Sequence, residues 1–351
     1  MYNSSITINN VKIGEKESPY VIAELSANHN GSIENAFKII SHAKECGASA
    51  VKIQTYTPDT ITLNLNTPDF QVDSGIWKGK SLYELYEGAH LPWEWHKPLF
   101  EFAKEVGITI FSSPFDKSAV DLLESLNTPA YKIASCEIID LPLIKYVANT
   151  QKPIIISTGM ASLEEINAAI ETCFSEGNQD IALLHCVSGY PTPDEDYNLN
   201  AINTLKKKFQ LVTGLSDHTI SNNVALTSLG LGASIFEKHV TLSKNGGGPD
   251  DSFSLEPHEL KNLCSNLQTC WLALGNGNKE IRESEVQSLK FRRSLYFVKD
   301  MMPGDIITEE CIKSIRPGYG MHPKEFDNIL GKKVSQEISY GSPVKAEYFE
   351  L

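Results

Sequence analysis

Eight short apolar runs recur between residues 20 and 240, nearly all closing on polar or charged residues and each followed by a longer stretch with helical spacing. The runs span 20–25, 50–54, 109–113, 130–134, 153–157, 181–185, 211–215 and 234–238. Short apolar runs alternating with amphipathic ones are what repeated βα units around a parallel sheet require. Eight such units predict an α/β fold, a closed (β/α)8 TIM barrel. The helical stretches carry their own signals. Ser162-Leu163-Glu164-Glu165 is a capping box, after which Ile166, Ala169, Ile170 and Cys173 fall on one face, with Gly177 placed to end the helix. A similar stripe, Leu260, Leu263, Cys264, Leu267 and Trp271, marks the last helix.

The chain has 351 residues, more than one core usually serves, so a large domain with a small companion is expected. We assign residues 1–280 to the barrel, 281–293 to a linker and 294–351 to a small β-rich module, with strand-like pieces at 295–298, 305–307, 312–316 and 343–346. The connection 55–91 is unusually long and holds Phe70, Trp77, Tyr83 and Tyr86, which suits a functional loop over the barrel mouth. A net charge of −13 argues against nucleic acid or an anionic membrane as partner. Seven scattered cysteines without a CxxC pair fit a reducing cytosol, and the first residues lack a basic and apolar leader, so a cytoplasmic protein is expected.

Catalytic groups in such a barrel come from the C-terminal ends of the strands. Here those ends supply Glu24, Lys52, Gln54, Ser113, Lys132, Ser135, Ser157, His185, Ser188, Ser216, His218, Glu237 and His239. Lys52 and Lys132 each interrupt an apolar run, and lysine is rarely buried without a partner. They either pair with Glu24 or Glu137 or form an anion site with the neighbouring hydroxyls. His218 and His239 end adjacent runs; they are either core histidines or ligands that, with oxygen donors, would suit a Mn2+- or Mg2+-like ion. Strand alternation turns Asp217 and Lys238 away from them and puts Glu237 on their side as a supporting group. Residues 245–252, with Gly246, Gly247 and Gly248 before Asp250, read as a flexible loop able to fold over the site. His29 reads as part of a polar turn. His42, His90, His96, His258 and His322 read as solvated. Cys186 beside His185 raises a Cys/His nucleophile, but no oxyanion-hole glycine pattern follows.

Several of these segments together resemble the sialic acid synthase family: Ala23-Glu24-Leu25-Ser26-Ala27-Asn28-His29-Asn30-Gly31, Val51-Lys52-Ile53-Gln54-Thr55, Phe111-Ser112-Ser113-Pro114-Phe115, Tyr131-Lys132-Ile133-Ala134-Ser135, Ile156-Ser157-Thr158-Gly159-Met160, residues 214–219, Glu237-Lys238-His239 and Gly248-Pro249-Asp250. The tail, with Ile315-Arg316-Pro317-Gly318-Tyr319-Gly320, resembles its antifreeze-like (SAF, β-clip) domain. Ser188 and Ser113 depart from the Asn and Thr usual in the neuraminate branch, and the chain is more similar to the branch whose acceptor is 2,4-diacetamido-2,4,6-trideoxy-L-altrose.

The resemblance implies condensation of phosphoenolpyruvate with an acetamido deoxy-hexose and water, giving a nonulosonic acid and phosphate. It implies a divalent metal, Mn2+ or Mg2+, on His218 and His239, and phosphoenolpyruvate on Lys52, Ser113, Lys132, Ser135, Ser157, Ser188 and Ser216. It gives Glu24 the water that adds at C2, gives Gln54, Tyr190 and Asp250 the sugar, and sends Arg316 into the barrel of a partner in a domain-swapped homodimer. The same chemistry on a legionaminate or neuraminate precursor, a Schiff-base aldolase using Lys132 or Lys238, and a non-catalytic carbohydrate-binding protein are the alternatives.

Overall fold

A computed structural model describes residues 4–349 apart from 74 and 76. It falls into two compact units, Met1–Gly275 and Asn276–Leu351. The first is built on a hairpin, β1 (Ser5–Ile8) and β2 (Val11–Gly14), followed by eight parallel strands. These are β3 (Tyr20–Glu24), β4 (Ala50–Thr55), β5 (Thr109–Pro114), β6 (Tyr131–Ile133), β7 (Ile154–Ser157), β8 (Ile181–Cys186), β9 (Val212–Asp217) and β10 (Ile235–His239). They close in sequence order, with β10 pairing β3, so the barrel has no free edge.

Inward-facing side chains change character along the strands, and that change places the site. At the N-terminal end Tyr20, Ile22, Ala50, Phe111, Ala130, Ile155, Ala182, Val212 and Ile235 pack into one apolar cluster. One or two inward positions later the same strands present Glu24, Lys52, Ser113, Lys132, Ser157, Ser216 and Glu237, all buried. The alternate residues, such as Val21, Ala23, Val51 and Ile53, face the helices in a separate cluster. Ile6, Ile8 and Ile13 of the hairpin join the interior cluster and seal that end. The hairpin turns at Asn9 and Asn10, both at positive φ, the backbone that a two-residue type I′ turn demands. The Ser162 capping box forms as expected, starting a helix over Leu163–Ser175 that buries Ile166, Ala169, Ile170 and Cys173.

The second unit has β11 (Ser294–Phe297) antiparallel to β12 (Ile312–Ile315) over a small core that includes Leu295, Phe297, Ile312 and Val344. Of the other strand-like pieces, only single bridges form, Ile306 to Lys333 and Tyr296 to Pro343. The unit begins at Asn276, ahead of residues 281–293 read as a linker, and within those residues lie two short helical turns, Glu283–Val286 and Gln287–Phe291. All seven cysteines are free thiols. Among the described residues no helix is long and apolar enough to cross a membrane.

Candidate active site

The polar inward residues meet in a cavity of about 530 Å3 at the C-terminal end of the barrel. Register explains the meeting. Glu24 lies opposite Lys52 on β4 and opposite His239 on β10, while Glu237 lies opposite Ser216 on β9. Lys52 Nζ is 2.7 Å from Glu24 Oε2 and 3.7 Å from Glu237 Oε1, and Lys132 Nζ is 3.8 Å from the same Glu237 oxygen. Lys132 also donates to Ser157 Oγ at 2.7 Å, Lys52 approaches Ser113 Oγ at 3.4 Å, and Ser216 Oγ donates to Glu237 at 3.2 Å. The lysines therefore pair with Glu24 and Glu237, and Glu237 stands between both ammonium groups rather than in a supporting role behind a histidine.

Burial is what makes these groups reactive. Glu24 is held above the usual carboxylate range, chiefly by burial and with Glu237 adding to it against the pull of Lys52. Glu237 is also penalised by burial, but Lys132 and Lys52 together hold it below that range. One carboxylate is thus ionised while its neighbour keeps an affinity for protons, the division of labour that acid–base chemistry uses. Gln54 Nε2 donates to Glu24 Oε1 at 2.8 Å and fixes its carboxyl. Glu137, at the cavity wall, is pushed up to about 7 by burial.

His218 and His239 face one another with ring centroids 5.4 Å apart, and Tyr190 lies 4.3 Å from the His218 ring. His218 Nδ1 donates to the Val187 carbonyl at 2.9 Å, which leaves Nε2 with a free lone pair. His239 is kept neutral chiefly by burial, with the nearby lysines adding to that, and its buried Nδ1 has no hydrogen-bond partner among the described residues. Asp250 Oδ2 sits 3.7 Å from that nitrogen and accepts from Ser26 Oγ. Two imidazoles with open lone pairs beside a carboxylate fit a divalent ion completed by oxygen donors. No group of three or more metal-binding side chains occurs among the described residues, so water and substrate would supply the rest.

Ser135, Ser188, Tyr190 and Asp250 line the same cavity, whereas Ser113 lies behind Lys52, and Arg316 is an exposed residue of the second unit. The Ser188 hydroxyl is buried and has no protein partner among the described residues. His185 turns out of the barrel to the Tyr197 carbonyl at 2.6 Å, so the cysteine next to it meets a different imidazole, Cys186 Sγ lying 3.9 Å from His218 Nδ1. Lys238 points outward as alternation demands. Its ammonium is saturated by Asp217 at 2.8 Å and by the carbonyls of Thr219 and Ser221, so it cannot form a Schiff base in the cavity. His96 is not solvated: it is fully buried, with Nε2 2.8 Å from Thr55 Oγ1, and burial lowers it to about 4. His29 is likewise buried, donating toward the Ala89 carbonyl at 3.3 Å.

The glycine loop is pinned rather than loose. Asp251 Oδ2 accepts from the Gly248 amide at 2.7 Å and from Asn30 Nδ2 at 2.9 Å. A Cβ on Gly248 would come within 2.8 Å of Asn30 Cγ, so close approach, not hinging, explains that glycine. Trp77 Nε1 donates to the Pro249 carbonyl at 3.1 Å, joining the long 55–91 connection to this loop over the cavity.

The chain matches the NeuB family over residues 39–279 and the SAF domain over residues 292–350. It is 44% identical to the pseudaminic acid synthase of Campylobacter jejuni over 330 residues, 94% of this chain and 96% of that one. It is also 44% identical to the pseudaminic acid synthase of Helicobacter pylori, over 95% of this chain and 98% of that one. With the N,N'-diacetyllegionaminic acid synthase of Legionella pneumophila the identity is 36% over 99% of both chains. Among solved structures, an N-acetylneuraminic acid (sialic acid) synthetase from Leptospira borgpetersenii superimposes with a TM-score of 0.72 at 32% identity, covering 83% of this chain and 97% of that one. A barrel site built on these strand ends and these full-length likenesses lead to one conclusion: the chain belongs to the NeuB (sialic acid synthase) family, with a C-terminal SAF domain, and is an enzyme of the transferase type.

Proposed function

We propose that the enzyme is a pseudaminic acid synthase, condensing phosphoenolpyruvate with 2,4-diacetamido-2,4,6-trideoxy-L-altrose and water to give the nine-carbon acid and inorganic phosphate. The observation that carries this reading is the pair of buried lysines, Lys52 and Lys132, converging on a cavity floor in a chain 44% identical to pseudaminic acid synthases. Two ammonium groups flanked by Ser135, Ser157, Ser188 and Ser216 suit the phosphate and carboxylate of phosphoenolpyruvate, with Ser113 orienting Lys52. The unpartnered Ser188 hydroxyl is a donor held ready for such an anion.

Glu24 is the base in this scheme. Its raised proton affinity and the Gln54 hydrogen bond suit it to take a proton from the water that adds at C2, after which the C–O bond to phosphate breaks. Gln54, Tyr190 and Asp250 would hold the sugar at the mouth side of the cavity. His218 and His239 would hold Mn2+ or Mg2+, whose contribution when bound is Lewis-acid polarisation of the sugar aldehyde. Arg316 would reach a partner's barrel in a domain-swapped homodimer, and the free thiols suit work in the cytosol.

The test is phosphate release from phosphoenolpyruvate on addition of the altrose-type sugar, set against its legionaminate-type isomer and N-acetylmannosamine. Fastest release with the altrose-type sugar is expected. A preference for either competitor moves the assignment to that branch, and borohydride trapping of pyruvate on Lys132 would replace it with aldolase chemistry.

A further inference from the structure

The cavity has two ends of opposite character, and the proposed reaction gives no role to the apolar side chains at one of them. Its floor, made by strand ends, holds the charges of Glu24, Lys52, Lys132 and Glu237. Its mouth, made by the loops after β4, β5 and β7, is lined by Ile61, Leu85, Tyr86, Phe115 and Met160. We propose that this apolar wall selects the acceptor, favouring a sugar that carries methyl groups, 6-deoxy and acetamido, over one with a hydroxyl in the same place. The proposal rests on the reaction assigned above and adds the residues that discriminate between its acceptors.

The wall is preorganised. Within the 55–91 connection, helix Pro58–Ile61 packs against helix Leu82–Ala89, and Tyr83 OH donates to Asp59 at 3.2 Å between them. Tyr56, buried beneath, meets the rings of Tyr86 and Phe115 edge-on, with centroids 5.8 and 5.1 Å apart. Leu85 is 7% exposed, and the Trp77 bond to Pro249 ties the same connection to the loop across the mouth. Ile61, Leu85 and Phe115 offer no polar atom, Met160 only a thioether, and Tyr86 adds a single phenolic hydroxyl at one edge. A sugar hydroxyl pressed against Ile61, Leu85, Phe115 and Met160 would lose its water and gain no strong partner, whereas a methyl would gain by leaving water. The floor cannot make this distinction, because its donors and acceptors serve the reacting carbons and the anion.

The test compares kcat/KM for 2,4-diacetamido-2,4,6-trideoxy-L-altrose and for its 6-hydroxylated analogue, with the phosphoenolpyruvate KM measured in parallel. An apolar pocket discriminates such pairs by about 10- to 100-fold, which is the preference expected of the wild-type enzyme. Met160→Gln, at a rim position 70% exposed and therefore tolerant, and Ile61→Gln should each reduce that preference about tenfold and leave the phosphoenolpyruvate KM in place. Equal loss on both sugars, or an unchanged ratio in both variants, would overturn the proposal. A wild-type enzyme that uses both sugars equally would overturn it while sparing the reaction; one that releases phosphate with neither sugar defeats the reaction itself.

Discussion

Gly159→Ala tests the anion cradle directly. Gly159 follows β7 with φ +22°, and a Cβ there would stand 2.5 Å from Ser135 Oγ and 2.9 Å from Ser188 Oγ. Neither serine can keep its place beside a methyl group at that range. The two hydroxyls come from the loops after β6 and β8, and Ser188 Oγ has no hydrogen-bond partner among the described residues that could hold it. A hydrogen bond to a charged group is worth about 1.5–3 kcal/mol, so losing one such bond should raise the phosphoenolpyruvate KM about 10- to 100-fold. Overpacking adds a stability cost of about 1–3 kcal/mol. Steady-state phosphate release, titrating phosphoenolpyruvate at saturating sugar, reads the first effect, and chemical denaturation reads the second. Ser188→Ala removes one hydroxyl without the clash and should reproduce the KM effect at its lower end with little loss of stability. A folded Gly159→Ala enzyme with wild-type phosphoenolpyruvate KM, or one impaired only toward the sugar, would refute the assignment of these serines to the anion.

Three further outcomes are expected. Chelation should silence the enzyme until Mn2+ or Mg2+ returns, and His239→Ala should neither recover nor show Mn2+ binding by calorimetry; wild-type binding by this variant removes the metal assignment. The folded-state pKa of Glu137, about 7, lies above its ordinary 4.5, so the folded protein binds the extra proton and stability should fall as pH rises from about 4.5 through 7. The fall is at most roughly 3 kcal/mol, and Glu137→Gln should flatten it in urea unfolding at pH 5 and pH 8; parallel curves for wild type and variant would show that another group is responsible. Arg316→Ala and Lys52→Ala should each be inactive, and mixed subunits should regain roughly a quarter of the sites if each site spans two chains. No recovery in verified hybrids would count against the swapped dimer.

The barrel was legible because its signal is repeated eight times. Every strand expected from an apolar run is present within two residues at either end, since a strand buried on both faces reads as a continuous apolar run whatever its neighbours are. The hairpin at 5–14 escaped, although Asn9-Asn10 between alternating isoleucines is a turn signal, because two four-residue strands outside the βα rhythm carry little periodicity. The tail's sequence reads as richer in strand than its structure is. Its backbone pairs mostly through single bridges and turns, and apolar pieces of three or four residues do not distinguish those from a ladder.

Within the site, alternation found which residues face inward but not which of them touch. Register between strands decides that, and register lies in the pairing of chain segments far apart. Glu237 shows the consequence. From its own strand it is the residue two before His239 and nothing more; only the closure of β10 onto β3 and β9 brings it beside Lys52, Lys132 and Ser216. His96, which reads as solvated, and His185, which reads as a strand-end group, are both placed by structural bonds. The helix bearing His96 packs its polar ring against Thr55 at the back of β4, and the outward position of His185 finds the Tyr197 carbonyl, so both imidazoles are consumed by structure. Among the described residues, Glu24 Oε2 aside, which Lys52 pairs, the buried atoms without a hydrogen-bond partner include His239 Nδ1, Ser188 Oγ, Glu137 Oε2 and Glu237 Oε2, all on residues that line the cavity with the buried lysines. A folded chain rarely leaves buried polar atoms unmatched, and four around one cavity point to partners that arrive with a ligand.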